Sequence, residues 1–148
     1  MTIYREKLNP SVWLYVIALL VIPASLLVFL PINVWVGVAV AVVLYAGCVV
    51  LLLLASPVLE VTDGEFIAGR ARLPIAFVGV IEGFRASEAT LERGQRLDAR
   101  AWLVIRGWID PVLKVEVTDP KDPVPYWLVS TRRPDELKSA LEKAKAGA

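Results

Sequence analysis

The residues best suited to chemistry are Ser130, Thr131, Arg132 and Arg133, four in a row ahead of Pro134. Two hydroxyls and two guanidiniums at the point where a strand gives way to a helix make a candidate anion- or partner-binding element. Backbone N–H groups at a helix start favour negative charge, and a guanidinium presents a planar fork of donors to phosphate or carboxylate. An arginine at that end opposes the helix dipole, so an anionic partner would resolve the conflict. The competing reading is local: Ser130 or Thr131 bonds nearby backbone, and the arginines pair with Asp135, Glu136 or solvent. A second group, Arg70, Arg72 and Trp108, has the composition of a membrane-surface contact. Basic side chains suit anionic headgroups and an exposed indole suits an interface. Gly107 before Trp108 and Asp110-Pro111 after it predict an exposed loop. Arg70 and Arg72 would equally suit a solvated strand edge that discourages aggregation.

Other chemistry is sparse. The chain has no histidine, which removes the commonest general base and metal ligand. Cys48 is the single cysteine, so there is no disulfide framework or thiol metal site. Asp119 and Asp122 lie among prolines, where turn formation accounts for them, and no ligand spacing typical of a metal site is present. No catalytic residue, cofactor or metal is expected. From Glu60 onward, fourteen Lys or Arg (sixteen less Arg5 and Lys7) face fourteen Asp or Glu (fifteen less Glu6). A nucleic-acid binder usually shows basic excess, so no nucleic-acid partner is expected.

The elements that would position these residues divide sharply by charge. Leu8 to Leu59, 52 residues, carries no charged side chain. A spanning helix needs about 20 apolar residues, and Pro31-Ile32-Asn33 divides the run. Proline cannot continue a helix, which predicts a transmembrane hairpin over 12–55, with spans 12–30 and 34–54. Pro23 should kink the first span. Neither span contains an ionisable Asp, Glu, Lys, Arg or His, unlike a typical ion or proton path. Arg5 and Lys7 before the spans, and Arg70 and Arg72 after them, predict cytoplasmic termini. Residues 1–11 read as a cytoplasmic N-terminal tail. A cleaved signal peptide fits poorly, because the apolar stretch is long and no clear cleavage site follows it.

Residues 58–148 read as a cytoplasmic, β-rich domain of about six strands. Val58 to Thr62 begins it, Asp63-Gly64 suggests a hairpin turn with positive φ, and Gly69 to Pro74 has the alternation of an exposed edge. Ile75 to Phe84 is nearly continuous apolar sequence, which predicts a strand buried on both faces or covered by a neighbour. Ser87 to Arg96 breaks the pattern as a short helix or ordered loop, with Ser87 as cap and Leu91 as anchor. Ala101 to Trp108, Val112 to Thr118 and Tyr126 to Thr131 complete the strands. A closing helix over 134–145 starts at Pro134, a favoured first-turn residue. Its stripe of Leu137, Ala140, Leu141 and Ala144 should cap the sheets.

Two spans, then Leu59-Glu-Val-Thr-Asp-Gly-Glu65, a later Arg-Leu-Pro, and Pro125-Tyr-Trp-Leu-Val-Ser-Thr-Arg-Arg-Pro134 resemble the actinobacterial membrane proteins grouped as domain of unknown function 3093. That resemblance implies no particular activity. The soluble half also looks like the bacterial pleckstrin-homology-like domains that follow paired membrane helices. The expected fold is therefore an α+β membrane protein: a two-helix hairpin, a small antiparallel β domain and a C-terminal helix. The expected function is a non-enzymatic interaction or scaffold module at the cytoplasmic face of the plasma membrane. It would engage membrane lipid together with a protein partner, a membrane complex or a second copy of itself. The alternative is a small-molecule or lipid-binding accessory subunit of a membrane enzyme, with a pocket between sheet and helix. An enzyme acting on a membrane-associated substrate is a third reading.

Overall fold

The computed structural model describes the whole chain, Met1–Ala148. Its contacts divide it into a helical unit, Asn9–Ser56, and a β unit built from two pieces, Met1–Leu8 and Pro57–Ala148.

The helical unit contains α1 (Val12–Ala18), α2 (Val21–Phe29) and α3 (Val34–Leu54). Val12–Phe29 and Val34–Leu54 are each long and apolar enough to cross a membrane. The break between α1 and α2 falls at Leu19-Leu20, four to three residues before Pro23. A proline ring clashes with the carbonyl four residues back, here that of Leu19, which instead accepts from the Ile22 N–H at 3.1 Å. Asn33 caps α3, its Oδ1 accepting from Trp35 N (2.9 Å) and Val36 N (3.4 Å). The side chains turned inward are small: Ser25 on α2, and Gly37 and Ala41 on α3. A Cβ on Gly37 would lie 3.1 Å from Phe29 Cβ, so only glycine permits this approach without a shift.

The β unit has two sheets. The first has the order β1 (Thr2–Lys7), β2 (Val58–Thr62), β3 (Glu65–Ala68), β4 (Ala71–Pro74), all antiparallel. The second runs β5 (Val78–Phe84), β7 (Val112–Val117), β8 (Tyr126–Ser130), β6 (Trp102–Val104). Its β6–β8 pair is parallel. A 3-10 turn, Ile75–Phe77, links the sheets. Helix α4 (Ala86–Arg93) packs on one face of the second sheet through Ala89, over Val112, Tyr126 and Leu128. The main core is closed by α5 (Pro134–Ala146), whose Leu137, Ala140, Leu141 and Ala144 join Leu59, Phe66, Leu113 and Trp127.

Several sequence expectations change. The segment read as an N-terminal tail is strand β1, paired with β2 from Thr2↔Thr62 to Lys7↔Val58. This strand helps bring the total to eight rather than about six. The helical unit is thus an insertion between two neighbouring strands of one sheet. The β2–β3 hairpin falls at Asp63-Gly64, but neither residue has positive φ. Thr62 Oγ1 braces it instead, accepting from Glu65 N and donating to Glu65 O, both at 3.1 Å. The left-handed turn residue is Gly69 (φ 65°), in the two-residue β3–β4 turn. β4 is a sheet edge as expected. β5 is an edge strand as well, with Val80 exposed, rather than a strand buried on both faces. In α4 the buried anchors are Ala89 and Glu92 rather than Leu91.

Candidate functional site

The segment Ser130–Arg133 runs from the end of β8 into α5, as its sequence predicts. Ser130 and Thr131 are fully buried. Ser130 Oγ accepts from Arg106 N at 2.9 Å, which ties the end of β8 to the chain after β6. Thr131 Oγ1 accepts from Arg133 N at 3.1 Å, a tight turn into the helix. The corner also holds an anion, and that anion belongs to the chain itself. Glu6, only 6% exposed, arrives from β1 on the buried side of the strand. Its Oε2 accepts from Thr131 Oγ1 (2.6 Å) and Tyr4 Oη (2.8 Å), and its Oε1 accepts from Arg132 N (3.0 Å).

This arrangement has a clear physical logic. A buried carboxylate is costly unless its oxygens are hydrogen-bonded, and hydrogen bonds to a charged acceptor are the stronger kind. Three donors meet Glu6, two of them from Thr131 and Arg132 just ahead of α5, on the side where the helix dipole also favours negative charge. Burial, followed by the hydrogen bond to Glu6, pushes the Tyr4 phenol up from 10.0 to about 12. The Arg133 guanidinium lies 5.1 Å from the centre of the Tyr4 ring and pairs with Glu136 at 2.9 Å. Asp135 pairs with Arg85 instead (2.7 Å). The local bonding anticipated for Thr131 and the Arg133–Glu136 pair are therefore both present. Glu6 is the member that the sequence reading missed. The only available signal was alternation: Tyr4, Glu6 and Leu8 fall on one side of an extended segment.

The second candidate group separates. Arg70 and Arg72 are exposed on the first sheet. Arg72 pairs with Glu65 at 3.0 Å, whereas Arg70 has no ion pair. Trp108 is not the exposed ring its flanking residues suggested. It packs against the main core, drawn in beside fully packed Ile109, and its Nε1 is buried without a hydrogen-bond partner. Within the β unit the exposed aromatic is Trp102 (37%), next to Leu103 (42%), on edge strand β6. Trp102 leans on Trp127 with ring centres 6.4 Å apart.

Glu92 is a second buried carboxylate, and it fixes α4. It meets Lys114 Nζ at 3.1 Å and Arg96 at 3.3 Å, while Lys114 also sits 4.4 Å from the Tyr126 ring centre. No three Asp, Glu or Cys residues are gathered where they could hold a metal ion. A cleft of about 470 Å³ lies between Met1–Ile3, Asp63 and the end of α5. One of about 360 Å³ lies beside Arg85, Glu88 and Asp135. Both are surface depressions with charged rims.

Taken together, a split β unit, an inserted pair of apolar helices and an internally neutralised corner define the architecture. The chain belongs to the family described as "Protein of unknown function (DUF3093)", whose model matches residues 3–141. That match runs from β1 into α5, so it takes in the helical insertion and both pieces of the β unit. No curated protein and no solved structure matches the chain.

Proposed function

We propose that this protein is a membrane-anchored, non-enzymatic interaction module. In this reading the helical pair spans the plasma membrane as a hairpin, both termini are cytoplasmic, and the β unit presents a binding surface to a protein partner or membrane complex at that face. The observation that carries it is the insertion itself. β1 and β2 are paired neighbours, so the chain leaves one sheet and returns to it. Whatever the helices cross, they must cross an even number of times. A cleaved first helix would also remove β1 and with it the buried Glu6. The Lys and Arg near the junctions favour the cytoplasmic side.

Two four-stranded sheets closed by a C-terminal helix also support a pleckstrin-homology-like reading of the β unit, with β1 as an added strand. The ligand-binding alternative needs a pocket between sheet and helix. Under the middle of α5 that space is filled by Leu137 and Leu141, both fully buried among the core residues, and the cleft at the end of α5 is a surface depression, which favours the interaction reading. The exposed edge of Trp102 and Leu103 supplies an apolar contact point.

Crosslinking in native membranes, followed by purification in mild detergent, tests the reading. A stoichiometric partner crosslinked to the β unit is the expected result. A chain that fractionates away from membranes, or that is recovered alone from every crosslinking position on the β unit, overturns it.

A further inference from the structure

The first sheet segregates its charge along its length. At the end where the chain passes into the helices, Lys7 faces Val58 across the β1–β2 ladder. The carbonyl of Val58 accepts from Gly69 N at 3.0 Å, next to Arg70. Lys7 and Arg70 therefore share the terminal row of the sheet, and Arg5 stands two residues along the same outward face as Lys7. All three are exposed, and none belongs to an ion pair. Of the carboxylates of this sheet, Glu60 alone stands beside the rim, across the ladder from Arg5, and the others are engaged elsewhere. Asp63 pairs with the N-terminal ammonium at the far end (2.8 Å), Glu65 with Arg72, Glu60 accepts from Thr2, and Glu6 is buried.

Building on the membrane-anchored reading, we propose that Arg5, Lys7 and Arg70 form a basic rim that binds anionic lipid headgroups at the bilayer surface. Chain reach brings the rim there. Only residues 8–11 separate Lys7 from α1, and only residues 55–57 separate α3 from Val58. A chain extends at most ~3.5 Å per residue, so Lys7 lies within about 17 Å of the first helical residue. The headgroup layer and its field occupy that zone, since the Debye length is about 8 Å at physiological ionic strength. Elsewhere on the β unit most cations are ion-paired, and the unpaired Lys121 and Lys143 are remote in sequence from the helix junctions, so this rim is the cluster of unpaired cations that the junctions carry. Arg72, coupled to Glu65, is a lesser contributor.

The test uses the full chain, reconstituted in mixed phosphatidylglycerol and phosphatidylcholine, extracted gently and examined for retained lipid by native mass spectrometry. Wild type should retain phosphatidylglycerol preferentially, with about a fivefold loss per cation neutralised on going to Arg5→Gln, Lys7→Gln and Arg70→Gln combined. Lys7→Arg with Arg70→Lys should keep the preference. Lys121→Gln with Lys143→Gln, which removes two unpaired cations away from the junction, should also leave it unchanged. Equal retention by the triple variant, or equal loss in the Lys121 and Lys143 control, overturns the rim. An alkaline wash of native membranes separates the two readings. A chain that the wash releases defeats the anchor and the rim together; a chain that stays but shows no phosphatidylglycerol preference defeats the rim alone.

Discussion

The two units are built inside out relative to each other. In the β unit the bulky side chains Phe66, Leu8, Leu59, Ile109 and Leu113 are fully buried, and its exposed large apolar residues are Met1, Val80, Trp102 and Leu103. In the helical unit Trp35, Leu54, Val12 and Leu27 face outward, while the buried positions on α2 and α3 are Ser25, Gly37 and Ala41. Each exposed Leu-sized side chain forgoes about 2 kcal/mol of burial in water, a cost that an apolar solvent removes. Small inward residues are what helices use when lipid removes the drive to bury large ones. The contrast supports the proposed membrane-anchored reading, in which the two units meet two solvents, and β1 ties the two pieces of the β unit into one sheet.

Removing residues 1–8 strikes hardest at that architecture. It deletes an edge strand, uncovers β2 and leaves the Thr131 corner without its carboxylate. The β unit should lose cooperative unfolding and become protease-sensitive, while Val34–Leu54 stays protected in detergent. If the truncated β unit resists protease as well as wild type does, β1 is dispensable and the split-unit description fails.

Next in size is Glu6→Ala, which strands three donors. Buried unsatisfied donors cost roughly 1–3 kcal/mol apiece before relaxation, so a net loss of about 3 kcal/mol is expected in chemical denaturation. Thr131→Val should lose about half as much. Glu6→Ala behaving like a surface substitution would mean that the corner is solvated.

The helical unit offers a sharper pair. Gly37→Leu must push against Phe29 and Leu26, 3.1 and 3.5 Å from the new Cβ, whereas Gly47→Leu meets nothing within 4 Å. Overpacking of this kind costs about 1–3 kcal/mol. Gly37→Leu should lower the thermal stability of the hairpin in micelles, and Gly47→Leu should leave it unchanged. Equal effects would remove the Gly37 contact from the account.

The smallest effect belongs to Tyr4. Its phenol is pushed up to about 12 in the fold from an ordinary 10.0, so the folded state favours the protonated form. That stability is present in full below pH 10 and is lost as pH rises through 12. Tyr4→Phe should cost about 1 kcal/mol at neutral pH, and its gap from wild type should narrow between pH 10 and 12, as followed by tryptophan fluorescence. A gap independent of pH would show that the phenol is not held protonated by its burial and its bond to Glu6.

How far the residues foretold this structure depended on how local each cause was. Pro31 to Asn33, Pro23 and Pro134 act within one turn, and the helix boundaries near them were legible. The stripe of α5 was legible for the same reason. β1 was not: Arg5, Glu6 and Lys7 resemble a charged tail, and the partners that make them a strand lie more than 50 residues away, with Thr131 at a separation of 125. The Ser130–Arg133 corner was legible as an anion-favouring place, because that follows from a helix start. Its occupant was not, because nothing local links Glu6 to it. Trp108 misled for a related reason. Gly107 and Asp110-Pro111 do predict a loop, but the neighbouring Ile109 turns that loop into the core.

The central claim is that β1 and the rest of the β unit lie on one side of a membrane crossed by the inserted helices. Single cysteines at Thr2, Ile32 and Gly147 in a Cys48→Ala background test it, using a membrane-impermeant maleimide on intact cells. Ile32→Cys at the hairpin turn should label from outside, and Thr2→Cys and Gly147→Cys only after permeabilisation. Labelling of Thr2→Cys and Gly147→Cys from opposite sides would contradict the account outright, because β1 could then never pair with β2.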